Sequence, residues 1–212
     1  MAVIEYFYAA HSAYAYIGSK LLSEIAGRAG ARIDHRPFDW HRVVAANGPG
    51  RINTLTPGRR AYFSGREIER WAEYRGVEII AGRMPTHHDN DIGLPNRMLI
   101  AGVLEGADVD ALAHRMLEAH WRYDADLADA GTLSRLGGVA GVNAGLLLAA
   151  ASSPEVQAIY DANTAEAIER SVFGSPCYFV DGDMFYGQDH LELVARAVET
   201  PFSGTWPRPD AQ

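Results

Sequence analysis

In AAHSAYAY, residues 9–16 of the chain, a predicted strand ends and a predicted helix begins. The preceding run, Val3 to Tyr8, is short, β-branched and aromatic, which is typical of a strand. From Ser12 to Ala29 the apolar residues recur at helical spacing, and Gly30 then ends the pattern. Ala31 to Phe38 predicts a second strand. Strand, helix and strand in this order indicate a right-handed βαβ unit with parallel strands.

The middle of the chain is predicted to be helical, and the end returns to strands. Residues 46–58 are predicted to form a loop because they are rich in glycine and proline. Helices are expected over residues 59–75, 94–104, 109–121, 132–142, 145–151 and 153–170. Two short runs, 177–180 and 184–186, flank Asp181-Gly182-Asp183, which is typical of a tight hairpin turn. A last helix is expected over residues 188–198.

This order predicts an α/β protein with an all-α insertion. Together with the Ser175-Pro176 dipeptide just before the hairpin, it is typical of a thioredoxin-like fold that carries a helical domain. We expect residues 1–40 and 165–200 to form the thioredoxin-like domain and residues 41–164 to form the insertion. Residues 201–212 are expected to be a proline-rich C-terminal tail.

The composition limits the classes of partner. The formal net charge of −8 argues against nucleic acid, because phosphate binding requires a basic face. No apolar stretch has membrane-spanning length, and the first residues lack the basic segment that opens a signal peptide. The single cysteine, Cys177, excludes an internal disulfide. We therefore expect a cytoplasmic protein without a membrane or nucleic-acid partner.

Both ends of the chain carry a family resemblance. EYFYAAHSAYAYIG and AEAIERSVFGSPCYFVDGDMFYGQDHLELVARAV resemble the 2-hydroxychromene-2-carboxylate isomerases and kappa-class glutathione transferases, the glutathione-using branch of the DsbA-like proteins. REIERWAEYRGVEI resembles the first insertion helix of that family. The resemblance is loose between Val77 and Ala151. Two positions depart from the family pattern: Ser12-Ala13-Tyr14-Ala15 stands where Ser-Pro-(Phe/Tyr)-Ser is frequent, and Ser175 stands where valine or threonine is usual.

Ser12 has two interpretations at this stage. As the N-cap of the predicted helix, its oxygen would accept a backbone N–H and contribute roughly 1 kcal/mol. The same position suits a residue that holds a thiolate, because free N–H groups and the positive dipole end stabilise an anion. Redox members of the fold carry Cys-x-x-Cys here, whereas this chain has Ser12 and Ala15. The resemblance implies glutathione as cofactor, with Ser12 as the catalytic residue that donates a hydrogen bond to its sulfur.

The resemblance also implies the other contacts to glutathione. A cis bond between Ser175 and Pro176 would turn the Ser175 backbone toward the cysteinyl part of the tripeptide. Asp189 would bind the γ-glutamyl ammonium, and Gln188 with nearby N–H groups would bind the γ-glutamyl carboxylate. An ordinary acidic first turn of a helix is the alternative for these two residues.

The glycyl end of glutathione is expected at an asparagine and a basic residue that open the insertion. Asn53 and one of Arg59 or Arg60 fit this pattern, with Asn47 as a competitor for the asparagine. Solvated side chains are the alternative for all four.

Four residues are candidates for the acceptor-substrate pocket: His11, Tyr14, Trp40 and Asn96. His11 is expected to be a pocket wall or a polar surface residue rather than a catalytic base. Tyr14 and Trp40 could equally belong to the core, and Asn96 could be an ordinary polar residue at a helix start.

Two other signals are interpreted as structural. The run His87-His88-Asp89-Asn90-Asp91 lacks the spacing of a zinc pattern, so we expect a polar loop and no metal site. Cys177 lies in a predicted buried strand, where cysteine is usually a small apolar filler.

The resemblance implies a glutathione-dependent isomerase that acts on an aromatic or conjugated carboxylate by reversible thiolate addition. Two alternatives share the site: a glutathione transferase that releases the adduct, and a non-catalytic glutathione-binding module. A disulfide oxidoreductase is disfavoured because Ala15 occupies its second cysteine position. The expected partners are a small-molecule substrate, glutathione and a second copy of the chain in a homodimer.

Overall fold

Four strands of the described residues form one sheet in the order β2-β1-β3-β4. The computed structural model of the chain describes residues 1–47, 56–204 and 206–207. The strands are β1 (Val3–Tyr8), β2 (Arg32–Pro37), β3 (Cys177–Val180) and β4 (Asp183–Tyr186). β1 is parallel to β2 and antiparallel to β3, and β3 is antiparallel to β4. The predicted βαβ unit, whose crossover is helix α1 (Ala13–Ala29), and the predicted hairpin are therefore confirmed.

Helices make up most of the remaining described chain. They are α2 (Trp40–Asn47), α3 (Pro57–Ala61), α4 (Glu67–Arg75), α5 (Gly93–Leu104), α6 (Val109–Tyr123), α7 (Ala130–Val139), α8 (Ala144–Ala150), α9 (Pro154–Glu169) and α10 (Leu191–Glu199). A π-helix, Tyr62–Arg66, joins α3 to α4, and a 3₁₀ helix, Gln188–His190, precedes α10. None of the described helices is both long and apolar enough to span a membrane. The helices predicted between residues 94 and 170 are confirmed, with ends that shift by a few residues.

Helix α2 occupies residues for which no helix is predicted. The Asp39 carboxylate accepts a backbone N–H of its first turn at 3.1 Å, and Asn47 at its end donates to the Ile168 carbonyl at 2.6 Å. Its buried residues are Val43 and Val44. Because so short a helix is marginal by itself, α2 depends on these tertiary contacts, which apolar periodicity does not reveal.

The single helix predicted over residues 59–75 is three consecutive pieces. α3 ends at Ala61, the π-helix follows, and α4 begins at Glu67. Within the π-helix the Phe63 carbonyl accepts a hydrogen bond from the Tyr14 hydroxyl at 3.0 Å. π-Helices occur where the regular hydrogen-bond ladder is interrupted, frequently at functional sites. The helix predicted over residues 59–75 is therefore confirmed in extent, but the π-helical turn in its middle is not predicted, because it leaves no trace in the spacing of apolar residues.

Buried side chains cover both faces of the sheet. Ile4 and Tyr6 of β1 belong to a cluster that includes α1 and continues into α5, α6 and α9. Phe7 and Phe179 lie on the opposite face and pack with Phe38 and α9. The predicted domain boundary between residues 164 and 165 falls inside α9. The division of the chain into two domains stays a prediction.

Gly18 lies at a close approach between α1 and the segment that begins with Gln188. A Cβ atom at residue 18 would lie 2.8 Å from the Gln188 Cβ and 3.0 Å from the Leu191 Cδ1. Gly27 of the same helix has no atom within 4 Å of the corresponding position. The absence of a side chain at Gly18 therefore allows the start of α1 and the 3₁₀ helix to pack together.

We expect Gly18→Ala to lower the free energy of unfolding by about 1–3 kcal/mol, the usual cost of overpacking a core. Gly27→Ala should be neutral or stabilise by up to about 1 kcal/mol, because alanine favours a helix interior. Urea denaturation of both variants measures the difference. Equal changes at the two positions would contradict a tight contact at Gly18.

Candidate active site

Ser12 caps α1 and also forms a hydrogen bond across the molecule. Its Oγ accepts the Ala15 N–H at 3.2 Å and donates to the Ser175 carbonyl at 3.0 Å. The Ser12 side chain is half-buried at the end of the turn that follows β1. The capping interpretation is therefore confirmed, and the hydroxyl proton lies on the side of Ser175.

The N-terminus of α1 offers two further donors. In the described part of the chain, the N–H groups of Ala13 and Tyr14 have no hydrogen-bond partner. The first turn of α1 carries no acidic side chain. An anion placed here would meet unpaired donors and the positive end of the helix dipole, with no carboxylate competing for them.

The Ser175-Pro176 peptide bond is cis, as the resemblance implies. The buried Ser175 Oγ accepts the Ala9 N–H at 3.1 Å, and the Pro176 carbonyl accepts the Gly187 N–H at 2.9 Å. No described residue accepts a hydrogen bond from the Ser175 N–H. This backbone can therefore pair with an extended ligand through one free donor and the carbonyl that Ser12 now occupies.

Asp189 and Gln188 have different surroundings although they are adjacent. Asp189 is exposed. Burial raises the pKa of the Tyr14 phenol, and the charges of Glu67 and Asp189 raise it further. Gln188 is only 1% exposed, and its Oε1 accepts a hydrogen bond from Arg75 at 3.1 Å. Arg75 also pairs with Glu192 at 2.5 Å. Gln188 thus anchors the 3₁₀ helix inside the chain, and its predicted contact with the γ-glutamyl carboxylate of glutathione stays a prediction.

The residues predicted for the glycyl end are only partly described. Asn53 lies outside the described residues. Arg59 and Arg60 are exposed in α3, and Arg60 lines a cavity described below. Asn47, the competitor, donates to the Ile168 carbonyl and holds α2 against the end of α9. Its amide is therefore already engaged within the chain.

The prediction that Asn96 contacts a substrate is wrong. Asn96 is 0% exposed, its Oδ1 accepts the Ala10 N–H at 2.9 Å, and its amide donates to the Phe38 carbonyl and the Tyr160 hydroxyl. All of these partners are buried inside the chain, so no ligand reaches the amide. Asn96 instead joins the turn before Ser12 to α5 and to the end of β2.

The aromatic candidates lie on two sides of the Ser12 turn. Tyr14 donates its hydroxyl to the Phe63 carbonyl, and Trp40 lies edge-on to the His11 ring at a centroid distance of 6.0 Å. Both side chains are half-buried. His11 is 7% exposed, and its carbonyl accepts the Trp121 indole N–H at 2.8 Å.

A histidine cluster is the feature that the sequence interpretation missed. His11, His88 and His120 lie together, with ring centroids 4.7 Å apart for the first pair and 5.3 Å for the second. His88 belongs to the predicted polar loop, and His120 lies in α6. No group of three or more His, Cys, Asp or Glu in the described residues is arranged to hold a metal ion. Only the fold brings these three rings together, because they are far apart in the sequence.

A cavity of about 710 Å³ lies between the α3–α4 segment and residues 79–84. Its lining includes three arginines, apolar side chains and the indole of Trp121: Arg60, Arg66, Arg83, Ile68, Ile79, Met84 and Trp121. Trp121 connects it to His11, and the Tyr14–Phe63 hydrogen bond connects its wall to α1. The cavity is therefore next to the turn that carries Ser12.

Cys177 is fully buried in β3. Burial raises the pKa of its thiol to about 12, and Sγ lies 3.6 Å from the Gly174 carbonyl. A thiol with this pKa is almost entirely protonated at neutral pH and is a poor nucleophile. The structural interpretation of Cys177 fits these surroundings.

We expect Asn96→Ala to lower the free energy of unfolding by roughly 2–4 kcal/mol, because the Ala10 N–H and the Phe38 carbonyl would remain buried without a partner. Asn90→Ala removes an exposed amide that donates to Asp126, so its effect should stay within about 0.5 kcal/mol. Urea denaturation compares the variants. An equally small change at Asn96 would show that water replaces its amide.

We expect a chromogenic disulfide reagent to leave Cys177 unmodified in the folded protein at pH 8 and to modify it completely in urea. The physical reason is the combination of burial with a pKa of about 12. Absorbance of the released thiol measures the reaction, and Cys177→Ala serves as the blank. Rapid labelling of the folded protein would contradict the burial and revive thiol redox chemistry.

The chain is similar to known enzymes along nearly its whole length. The chain is 27% identical over 198 residues to a 2-hydroxychromene-2-carboxylate isomerase of Sphingobium xenophagum, covering 90% of this chain and 95% of the relative. It is 25% identical over 203 residues to an enzyme of the same name from Pseudomonas putida, covering 92% and 94%. A solved structure of a 2-hydroxychromene-2-carboxylate isomerase superimposes with a TM-score of 0.73 at 23% identity, covering 93% of this chain and 94% of that one.

The predicted thioredoxin-like fold with helical segments between its strands is confirmed by these similarities. The family model of the DSBA-like thioredoxin domain matches residues 3–199, nearly the whole chain. The chain therefore belongs to the DsbA-like thioredoxin family.

Proposed function

We propose that the protein is a glutathione-dependent isomerase that acts on an aromatic or conjugated carboxylate, of the 2-hydroxychromene-2-carboxylate type. The observation that carries the proposal is the Ser12 hydroxyl at the N-terminus of α1, 3.0 Å from the Ser175 carbonyl. Ala15 occupies the position of a second cysteine, so this site cannot exchange a disulfide by itself. The two relatives named 2-hydroxychromene-2-carboxylate isomerase support the type of reaction.

Glutathione would bind by exchanging one hydrogen bond for others. Its cysteinyl N–H would replace the Ser12 hydroxyl as donor to the Ser175 carbonyl, and its cysteinyl carbonyl would accept the free Ser175 N–H, as in strand addition. The Ser12 hydroxyl, released from Ser175, would then donate to the sulfur. The N–H groups of Ala13 and Tyr14, unpaired among the described residues, would supply two more donors. Together these groups favour the thiolate and lower its pKa.

The thiolate would then act as a nucleophile that is regenerated. It adds to one carbon of the conjugated double bond, and the electron pair of that bond moves to the carbonyl oxygen as an enolate. For a cyclic 2-hydroxychromene substrate the ring opens before this addition: the C2 hydroxyl loses its proton and becomes the carbonyl, the C2–O ring bond breaks, and the ring oxygen takes up a proton as a phenol. Rotation about the new single bond is then free. Return of the electron pair expels the thiolate and restores the double bond in the other geometry. No atom of glutathione remains in the product, so the tripeptide acts as a cofactor.

The cavity beside the Ser12 turn supports an aromatic carboxylate as acceptor. Its apolar walls and the Trp121 indole would bind the ring, and the lining, with three arginines against one carboxylate (Glu69), would favour a carboxylate. Arg66 pairs with Glu69 at 3.3 Å and Arg83 with Asp124 at 2.6 Å, so these two cations are already oriented by partners. A pocket of about 710 Å³ has room for a two-ring substrate.

We expect Ser12→Ala to reduce kcat/KM toward 2-hydroxychromene-2-carboxylate about 10²–10³-fold, the usual effect of removing one donor to a developing anion. The pKa of the bound glutathione thiol should rise toward its free value of about 8.5, because the hydroxyl no longer stabilises the thiolate. Turnover with catalytic glutathione and ultraviolet absorbance of the thiolate against pH measure the two effects.

Two control variants separate this role from capping. Ser12→Thr keeps a hydroxyl and a capping oxygen, so it should retain most of the activity. Ser134→Ala removes an exposed hydroxyl of α7 and should change neither quantity. Unchanged turnover and an unchanged thiol pKa in Ser12→Ala would refute the proposed role of Ser12.

A count of free thiols during turnover separates the isomerase from its alternatives. The proposed isomerase leaves the total thiol concentration constant while the substrate is consumed. Loss of one thiol for each substrate molecule would identify a conjugating transferase instead. Binding of glutathione without any reaction of the substrate would identify a binding module.

A further inference from the structure

Arg75, the last residue of α4, contacts the segment around Asp189 through all three nitrogens of its guanidinium. The Nε donates to the Gln188 Oε1 at 3.1 Å, and the Nη2 donates to the Gln188 carbonyl at 3.2 Å. The two Nη atoms donate to the two carboxylate oxygens of Glu192 at 2.5 and 3.1 Å. One side chain therefore bonds to the residue before Asp189 and to a residue one turn after it.

The surroundings of Arg75 strengthen these contacts. Only 11% of its side chain is exposed, and its guanidinium lies over the rings of Trp71 and Tyr74 at 5.6 and 5.5 Å. The hydrogen bond from Arg75 holds the pKa of the Glu192 carboxyl below its ordinary value. A partly buried arginine that bonds both oxygens of a carboxylate forms a stronger pair than two exposed charges do.

Asp189 itself has little to hold it. Its side chain is 45% exposed and lies 3.5 Å from the ring nitrogen of the adjacent His190, which is the one polar contact that the described residues give it. The position of the Asp189 carboxylate therefore depends on how firmly the backbone of the 3₁₀ helix is held.

Three contacts place that backbone. The Gly187 N–H donates to the Pro176 carbonyl at 2.9 Å. A Cβ atom at Gly18 would lie 2.8 Å from the Gln188 Cβ, so α1 lies directly against the 3₁₀ helix. Arg75 supplies the third contact, from the end of α4. Because a side chain provides this third contact, a substitution removes it without changing the backbone at the site.

We propose that Arg75 is a positioning residue for the γ-glutamyl end of glutathione. It touches no part of the ligand, and it holds Asp189 where the ligand's ammonium would bind. The inference rests on the proposed function, in which glutathione is the cofactor and Asp189 binds its ammonium. It adds a residue of α4, far from Asp189 in the sequence, to the residues on which that site depends.

Charge and shape both favour an arginine at this position. Arg75 and Glu192 carry opposite charges and pair with each other, so the segment keeps the negative charge of Asp189 for an ammonium. A guanidinium presents several donors in one plane, and here they meet acceptors on Gln188 and Glu192 together. A lysine ammonium is a point charge on a flexible chain and does not reproduce this fork.

The test compares glutathione with glutaryl-cysteinylglycine, the analogue in which hydrogen replaces the γ-glutamyl ammonium. A hydrogen bond between charged groups changes affinity about 10- to 100-fold, so the wild type should prefer glutathione by about that factor. Arg75→Gln should weaken glutathione binding about tenfold and leave binding of the analogue unchanged, because only the contact with the ammonium is displaced. Isothermal titration calorimetry measures both dissociation constants.

Arg70→Gln is the matched control on the same helix. The Arg70 side chain is 51% exposed and pairs with Glu67 at 2.9 Å, so neither dissociation constant should change in this variant. Arg75→Lys keeps the charge without the fork, so it should resemble Arg75→Gln rather than the wild type. Full affinity for glutathione in Arg75→Lys would overturn the assignment.

Hydrogen–deuterium exchange tests the support of the 3₁₀ helix without any ligand. We expect the amides of residues 187–192 to exchange faster in Arg75→Gln than in the wild type, and at the wild-type rate in Arg70→Gln. Equal exchange in the three proteins would overturn the role of Arg75.

The binding data separate positioning from a merely structural role, and this inference from the proposed function. If Arg75→Gln weakens both peptides equally, Arg75 supports the fold rather than the ammonium site, and the inference is wrong. If the wild type binds neither peptide, the proposed function fails and the inference fails with it. If the wild type binds glutathione and Arg75→Gln retains the full preference for the ammonium, the inference fails alone.

Discussion

One hydrogen bond, from the Ser12 hydroxyl to the Ser175 carbonyl, joins two parts of the chain that are 163 positions apart. It holds the start of α1 against the backbone that precedes β3, and it occupies the acceptor that an extended ligand would use. The other polar groups around it, two N–H groups of the first turn and the Ser175 N–H, have no partner in the described residues. These unpaired donors and the Ser175 carbonyl are the groups that the proposed glutathione site would use.

Buried polar side chains fix this geometry from three directions. The Ser175 Oγ accepts a hydrogen bond from the Ala9 N–H, and the Asn96 Oδ1 accepts one from the Ala10 N–H. The Trp121 indole N–H donates to the His11 carbonyl. Each of the three residues before Ser12 is thus tied to a different part of the chain. A buried hydrogen bond is worth little net energy, but losing one partner is costly, so the turn has few alternative conformations. This rigidity allows a half-buried serine to hold its hydroxyl in one place.

The sheet, α1 and the hairpin are predictable from the sequence because apolar alternation, helical spacing and turn residues are local signals. Ser12, Ser175 and Pro176 are implied by the family resemblance; the structure shows the hydrogen bond between Ser12 and Ser175 and the cis peptide bond, and their role in binding glutathione stays a prediction. The role of Asn96 is not predictable, since a helix-start amide has the same sequence signature whether it faces a ligand or the core. The histidine cluster is also beyond sequence reasoning, because His11, His88 and His120 meet only after the turn, a loop and α6 are packed together.

The hydrogen bond between the Tyr14 phenol and the Phe63 carbonyl has a mechanical consequence. Tyr14 lies two residues after Ser12, and Phe63 lies in the π-helix whose neighbours wall the cavity. This hydrogen bond ties the first turn of α1 to the segment that walls the cavity. In the proposed function, a substrate that displaced that wall would therefore also displace the donors that surround the thiolate.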